Sequence, residues 1–247
     1  MMRRRTFLYT TGGALGASLL CSRIMGAPQP FEPDHIILGC KHLDEGIAHM
    51  EKLSGYRAAI GGSHPGRGTR NALLKLGYKS YLEILAPDPA QPELAWHKEL
   101  GTLDAPLLVG WAVAVKNIEQ YAQHLRQRGV ACIGPLPGSR TRPNGDTLAW
   151  KTLVREDDKA GILPFYIEWA ADSQHPSTEA PGACLLNRMN RTGEVIEAAA
   201  PGPGFQVMSR PDLPDAQLHA FIEGQFGEFE LKTRAITSEA WSEQPSR

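Results

Sequence analysis

Residues 34–55 read DHIILGCKHLDEGIAHMEKLSG, and residues 109–129 read VGWAVAVKNIEQYAQHLRQRG. Each stretch opens as an apolar run of strand length. Each continues with apolar residues at helical spacing, Leu43, Ile47, Met50 and Leu53 in the first and Ile118, Ala122 and Leu125 in the second. Each then ends at a glycine, Gly55 or Gly129, the residue that most readily closes a helix. An offset of 75 residues pairs Leu43 with Ile118, Ile47 with Ala122 and Met50 with Leu125. Internal duplication is the economical explanation.

Three further strands follow in each copy. In the first they are Tyr56 to Ile60, Asn71 to Leu76 and Ser80 to Leu85, with a glycine-rich loop from Gly61 to Gly68. In the second they are Val130 to Gly134, Thr147 to Val154 and Leu163 to Ala170, with a loop from Gly138 to Gly145. The offset grows to 85 by the last strands, where it pairs Glu83 with Glu168. The expected fold is α+β: paired βαβββ modules, 34–86 and 107–170, form a cupped mixed β-sheet with helices outside, within a domain of 31–175. The remainder, 176–247, reads as an extension with a strand at Cys184 to Met189, a helix at Asp215 to Phe226 and a strand at Phe229 to Ala235. A partial third module is one reading of it.

Composition excludes little beyond disorder, because 42% hydrophobic and 21% charged residues are ordinary for a globular chain of 247 residues. The first 26 residues carry Arg3, Arg4, Arg5 and Arg23 and no acid. Taking those four from 26 basic residues leaves 22 against 27 acidic ones, a net charge of −5. That balance argues against nucleic acid or an anionic membrane as the main partner. Residues 1–30 resemble a twin-arginine export signal, with Arg4-Arg5 before the short apolar run Gly12 to Leu20, too short for a stable membrane anchor. The expected location is the periplasm or outside the cell. Cysteines at 40, 132 and 184 give no disulfide framework.

Tandem βαβββ units, Asp34-His35 on the first strand and a glutamate in each unit's last strand resemble the vicinal oxygen chelate superfamily, which includes glyoxalases and extradiol dioxygenases. Gly62 to Asn71 together with Tyr81-Leu82-Glu83 resembles its glyoxalase-like domain family. The resemblance implies a divalent metal ion, Mn, Fe, Ni or Zn, held by His35, Glu83 and Glu168, and a lyase or isomerase acting on a small-molecule substrate. It also implies a homodimer as one possible assembly. Alternatives are a binding protein without turnover and an extradiol dioxygenase, which needs a second histidine ligand.

Strand alternation places His35 with Ile37, and Glu83 with Tyr81 and Leu85. It sets Gly110, the counterpart of His35, on a face of small residues with room for a ligand. Here the resemblance and the residues diverge, because a ligand is expected where Gly110 stands; His64 or His175 could replace it. His64 is a candidate general base alongside Glu168, and Arg67, Arg70 and Asn71 are candidate substrate contacts for an anion. The plainer readings are a core histidine, glutamates paired to Arg70, Lys75 or Lys151, and a polar pocket without metal. Trp111, Trp150 and Trp169 read as core.

Overall fold

The computed structural model describes residues 33–156, 161–192, 207–210 and 215–234. The export-signal expectation for 1–30 lies outside them. The first unit is β1 (Pro33–Gly39), α1 (Leu43–Ser54), β2 (Ala59–His64), β3 (Thr69–Lys75) and β4 (Tyr81–Pro87). After the short helix α2 (Ala95–Gly101), the second unit is β5 (Leu107–Ala114), α3 (Ile118–Gln127), β6 (Cys132–Thr141), β7 (Thr147–Arg155) and β8 (Phe165–Trp169). The eight strands close into a barrel in the order β1-β4-β3-β2-β6-β7-β8-β5.

Two seams join the units. β1 runs antiparallel to β5, with Ile36 opposite Trp111, and β2 meets β6 through Ser63 and Thr141. The second seam depends on Gly62: its φ is 140°, and a Cβ there would lie 2.0 Å from the Thr141 carbonyl oxygen. Only a residue without a side chain allows that approach. β2 therefore continues through the glycines that read as loop, with an irregularity between Ile60 and Gly62, and carries His64 at its end. The turn at 65–68 is tied down, since Gly66 and Gly68 both donate backbone N–H groups to Gln91 Oε1.

The two faces of the barrel wall follow from alternation. Ile36, Leu38, Leu82 and Ile84, all 0% exposed, point outward against the helices, each contributing about 2 kcal/mol by burial. The odd-numbered neighbours, His35, Ile37, Tyr81, Glu83 and Leu85, point inward. α1 docks closely because Gly46 has no side chain; a Cβ there would meet Cys40 Sγ and Ile84 Cγ2, both at 2.6 Å.

Beyond the barrel, β9 (Leu185–Thr192), β10 (Val207–Arg210), β11 (Leu218–Gly224) and β12 (Gly227–Lys232) form a second sheet in the order β10-β9-β11-β12. The helix expected at 215–226 is instead the strand β11 turning into β12. Leu218, Ala220 and Ile222 are each 0% exposed, a spacing of two that buries one face of a strand. With Met189 and Leu231 they join the same core as Ile47 and Met50 of α1. Among the described residues no helix is long and apolar enough to cross a membrane.

Candidate active site

The barrel encloses a cavity of about 150 Å³. One wall is polar, built from His35, His64, Asn71, Tyr81 and Glu83 of the first unit with Arg140 of the second. The rest of the lining is mainly apolar: Ile37, Leu85, Val154, Phe165 and Ile167, with Trp150 and Trp169.

Glu83 is the hub of the polar wall and only 8% exposed. Asn71 Nδ2 donates to its Oε1 at 2.6 Å, His64 Nε2 lies 3.5 Å from the same oxygen, and His35 Nε2 lies 3.7 Å from Oε2. Burial alone would raise the Glu83 pKa. The fields of His64 and His35, the Asn71 hydrogen bond and the charge of Arg140 outweigh it, so the carboxyl is held below its ordinary value. His64 moves the other way for its class: burial lowers it to about 4 against the pull of Glu83, with Arg140 and Arg67 adding to the fall. At neutral pH the pair is a carboxylate beside a neutral imidazole, and Thr69 Oγ1, 2.9 Å from His64 Nδ1, fixes the ring.

His35 is oriented from behind. Its Nδ1 is 2.6 Å from Asp34 Oδ1, its ring stacks on Tyr81 at 4.7 Å, and Nε2 is thereby aimed into the cavity. Asp34 also accepts from Trp169 Nε1 at 2.9 Å and faces His175 Nε2 at 3.0 Å. Burial opposes ionisation of Asp34, but the hydrogen bonds from His175 and His35 hold its carboxyl well below the usual carboxylate range. Tyr81, buried beside Asp34 and Glu83, keeps its phenolic proton well above the ordinary range and remains a donor.

The structure brings His35, His64, Asn71 and Glu83 together and places Arg67 at the cavity's edge, where Nη2 donates to the Pro137 carbonyl. It does not bring in Glu168. That carboxylate accepts the backbone N–H groups of Asn117 at 2.8 Å and Ile118 at 3.2 Å, so it caps the start of α3 outside the barrel. The reason is register. Ile37 pairs with Glu83, and Ala112, its counterpart, pairs with Phe165, so Phe165 is the residue that occupies the position of Glu83. The true offset in the last strand is thus 82, three less than 85, and an odd step turns a strand residue to the opposite face. The same step brings Trp169 inward, where core packing against the helices was expected.

Arg70 is also absent from the cavity wall, since it neighbours Asn71 on a strand and faces outward. Gly110 pairs with Ile37, and a Cβ there would meet no atom within 4 Å. His175 does not line the cavity; it stands behind it, its Nε2 3.0 Å from Asp34 Oδ2 and its ring edge-on to Tyr81 and Trp169.

A resident metal ion needs three or more converging donors. With Glu168 outside, the ligand set expected from the sequence falls to His35 and Glu83. Among the described residues no three His, Cys, Asp or Glu side chains are grouped to hold an ion; His35 and His64 approach different oxygens of Glu83, at 3.7 and 3.5 Å. The residues as arranged do not fit a bound ion.

Arg140 escaped the sequence reading because Gly138 to Gly145 looked like a loop, whereas β6 runs through Thr141 and pairs Arg140 with Leu148. The alternation of Leu148, Trp150 and Thr152 on β7 was the available signal.

A family model described as a glyoxalase-like domain matches residues 34–201. Among solved structures, a hypothetical protein from Staphylococcus aureus superposes with a TM-score of 0.50 at 16% identity, over 66% of this chain and 69% of that one. Methylmalonyl-CoA epimerase from Streptomyces coelicolor, in complex with 2-nitronate-propionyl-CoA, gives 0.45 at 21% identity, over 59% and 99%. The methylmalonyl-CoA epimerase of Mycobacterium tuberculosis gives 0.43 at 22%, over 60% and 95%. No curated protein matches the sequence significantly. The fold is that of the vicinal oxygen chelate proteins, and on the family match, which spans more than half its length, the chain belongs to the glyoxalase-like domain family.

Proposed function

We propose that the protein is a lyase or isomerase of the glyoxalase type that takes a small, oxygenated, anionic molecule into the barrel and moves a proton on it. The observation that carries this reading is the Glu83–His64 pair: a buried carboxylate and a neutral imidazole 3.5 Å apart, both on the wall of a cavity. Either group can accept a proton from a carbon next to a carbonyl, and the pair can return it to a neighbouring position. Tyr81, which stays protonated, supplies a donor for the oxygen on which charge develops. His35, fixed by Asp34, is the second imidazole able to relay the proton.

The test is deuterium exchange from solvent into a panel of small 2-hydroxy and 2-oxo carboxylates, followed by proton NMR. Exchange into at least one compound, lost in Glu83→Gln, is the expected outcome; exchange undiminished in that variant overturns the assignment. Saturable binding with no exchange throughout the panel would leave a binding protein in place of an enzyme.

A divalent ion is the second reading, and His64 is the observation that favours it. Its neutral Nε2, with Glu83 and His35 Nε2, supplies mixed nitrogen and oxygen donors of the kind Mn, Fe, Ni and Zn accept, though the carboxylate would have to turn to bring all three together. Elemental analysis of protein purified without chelator decides it: near-stoichiometric metal, lost in His64→Ala, supports this reading, and metal below roughly 0.2 equivalents removes it. Export by the twin-arginine route belongs to the same proposal. A reporter fused behind residues 1–30 should leave the cytoplasm, and it should stay there when Arg4 and Arg5 are replaced by Lys.

A further inference from the structure

Arg140 touches none of the groups given a role above, although its charge bears on Glu83 and His64. It is 4% exposed and faces the cavity from β6, across the seam from the first unit. Its Nε is buried without a partner, and among the described residues no hydrogen bond or ion pair engages its guanidinium. Such a group cannot shed its proton, and taking it out of water uncompensated costs several kcal/mol. Burial lowers its pKa, with Tyr81 and Glu83 pulling the other way, yet Glu83 is already engaged by Asn71 and faces two imidazoles.

The guanidinium lines the cavity, and the absence of a side chain at Gly61 lets the backbone pack against it. Gly61 lies beside it, and a Cβ there would come within 2.8 Å of Arg140 Nη1 and 2.4 Å of Asn71 Oδ1. Asn71 Oδ1 is itself a buried acceptor without a partner, ready for a hydroxyl. Phe165 and Ile167 line the same cavity and offer only apolar surface. The volume, about 150 Å³, is that of a cavity that admits a molecule the size of benzene.

We infer that Arg140 is the anion anchor of the cavity and that the ligand is a small monocarboxylate bearing one apolar or aromatic group. The carboxylate sits on the Arg140 fork, a hydroxyl next to it donates to Asn71 Oδ1 or a carbonyl there accepts from Tyr81, and the apolar group rests on Phe165 and Ile167. A single buried guanidinium matches one negative charge; a dianion such as a phosphate monoester would bring a second, unpaired charge close to Glu83 and Asp34. This inference rests on the proposed function for turnover but not for binding.

Isothermal titration of the full chain with mandelate, phenylglyoxylate, their methyl esters and phenyl phosphate tests it. The two acids should bind saturably and the esters and phosphate at least about tenfold more weakly. Arg140→Gln should weaken acid binding by about tenfold or more, Arg140→Lys should recover part of the loss, and Arg57→Gln, a change on the outer surface, should leave it within about twofold. Equal binding of acid and ester by the unmodified protein, tighter phosphate than acid, no binding of either acid, or acid binding unchanged in Arg140→Gln each overturns the inference. The ester comparison needs no variant, so it stands even if Arg140→Gln fails to fold. Glu83→Gln separates the two claims: acid binding retained with exchange lost supports both, and exchange persisting in Arg140→Gln with unchanged KM discards the anchor alone.

Discussion

The two βαβββ units share a topology and divide the work of the cavity. The first contributes His35, His64, Asn71, Tyr81 and Glu83 to the interior, with Ile37 and Leu85; the second contributes Phe165, Ile167, Val154, two tryptophans and the charge of Arg140. The counterpart of His35 is Gly110, and the counterpart of Glu83 is Phe165. The repeat thus closes a barrel from two copies of one fold unit whose inward positions differ in polarity, and on the proposed function the first copy would carry the proton chemistry. The contrast is sharpest between the glutamates. Glu83 is buried among imidazoles on the inner face, and Glu168 is spent on the N-terminus of a helix.

The largest way to break this comparison is to exchange the chemistry of the two carboxylates. Glu83→Gln should lower kcat/KM on any substrate found by deuterium exchange by about a thousandfold, with an unchanged circular dichroism spectrum. Equal losses from Glu83→Gln and Glu168→Gln would erase the distinction.

Acid should act on the polar unit next. His64 stays neutral in the fold down to about pH 4 but ionises near 6.5 in the unfolded chain. The unfolded chain therefore binds more protons across that window, and stability falls as pH drops through it, by about 3 kcal/mol in all. Glu83 and Asp34, whose pKa values are lowered, lose stability in the same direction as pH falls further. Urea denaturation at pH 7, 5.5 and 4.5 measures this, and His64→Gln should flatten the upper part of the profile. A profile as steep as that of the unmodified protein would remove His64 from the account.

Glycines give the third contrast. Gly62→Ala should destabilise the barrel by about 2 kcal/mol or more, through its positive φ and the close Thr141 carbonyl. Gly110→Ala, with open space around it, should change stability by less than about 0.5 kcal/mol. Thermal melting of both variants compares the tight seam with the hollow wall.

The smallest effect belongs to Glu168→Ala, which removes the acceptor at the start of α3. It should cost about 1 kcal/mol and leave kcat/KM within about twofold, read from urea unfolding and the exchange assay together.

Much of the architecture is legible in the chain. The helical spacing of Leu43, Ile47 and Met50, its echo in Ile118, Ala122 and Leu125, and the terminal glycines specify two repeated units, because burying one face of a helix dictates that period. Alternation likewise sets His35, Ile37, Tyr81 and Glu83 toward one side of their strands. Misreadings arose where spacing alone is ambiguous: Leu218, Ala220 and Ile222 belong to a strand, and β2 runs on through Gly61 and Gly62. What only the tertiary structure decided is which residues of different strands meet. Pairing register placed Phe165 opposite Ala112 and so turned Glu168 out, and closure of the β2–β6 seam carried Arg140 to the wall shared with Glu83. A sequence fixes the alternation within each strand; the register between strands is set by packing and loop length, and an odd error there exchanges the inside of the barrel for the outside.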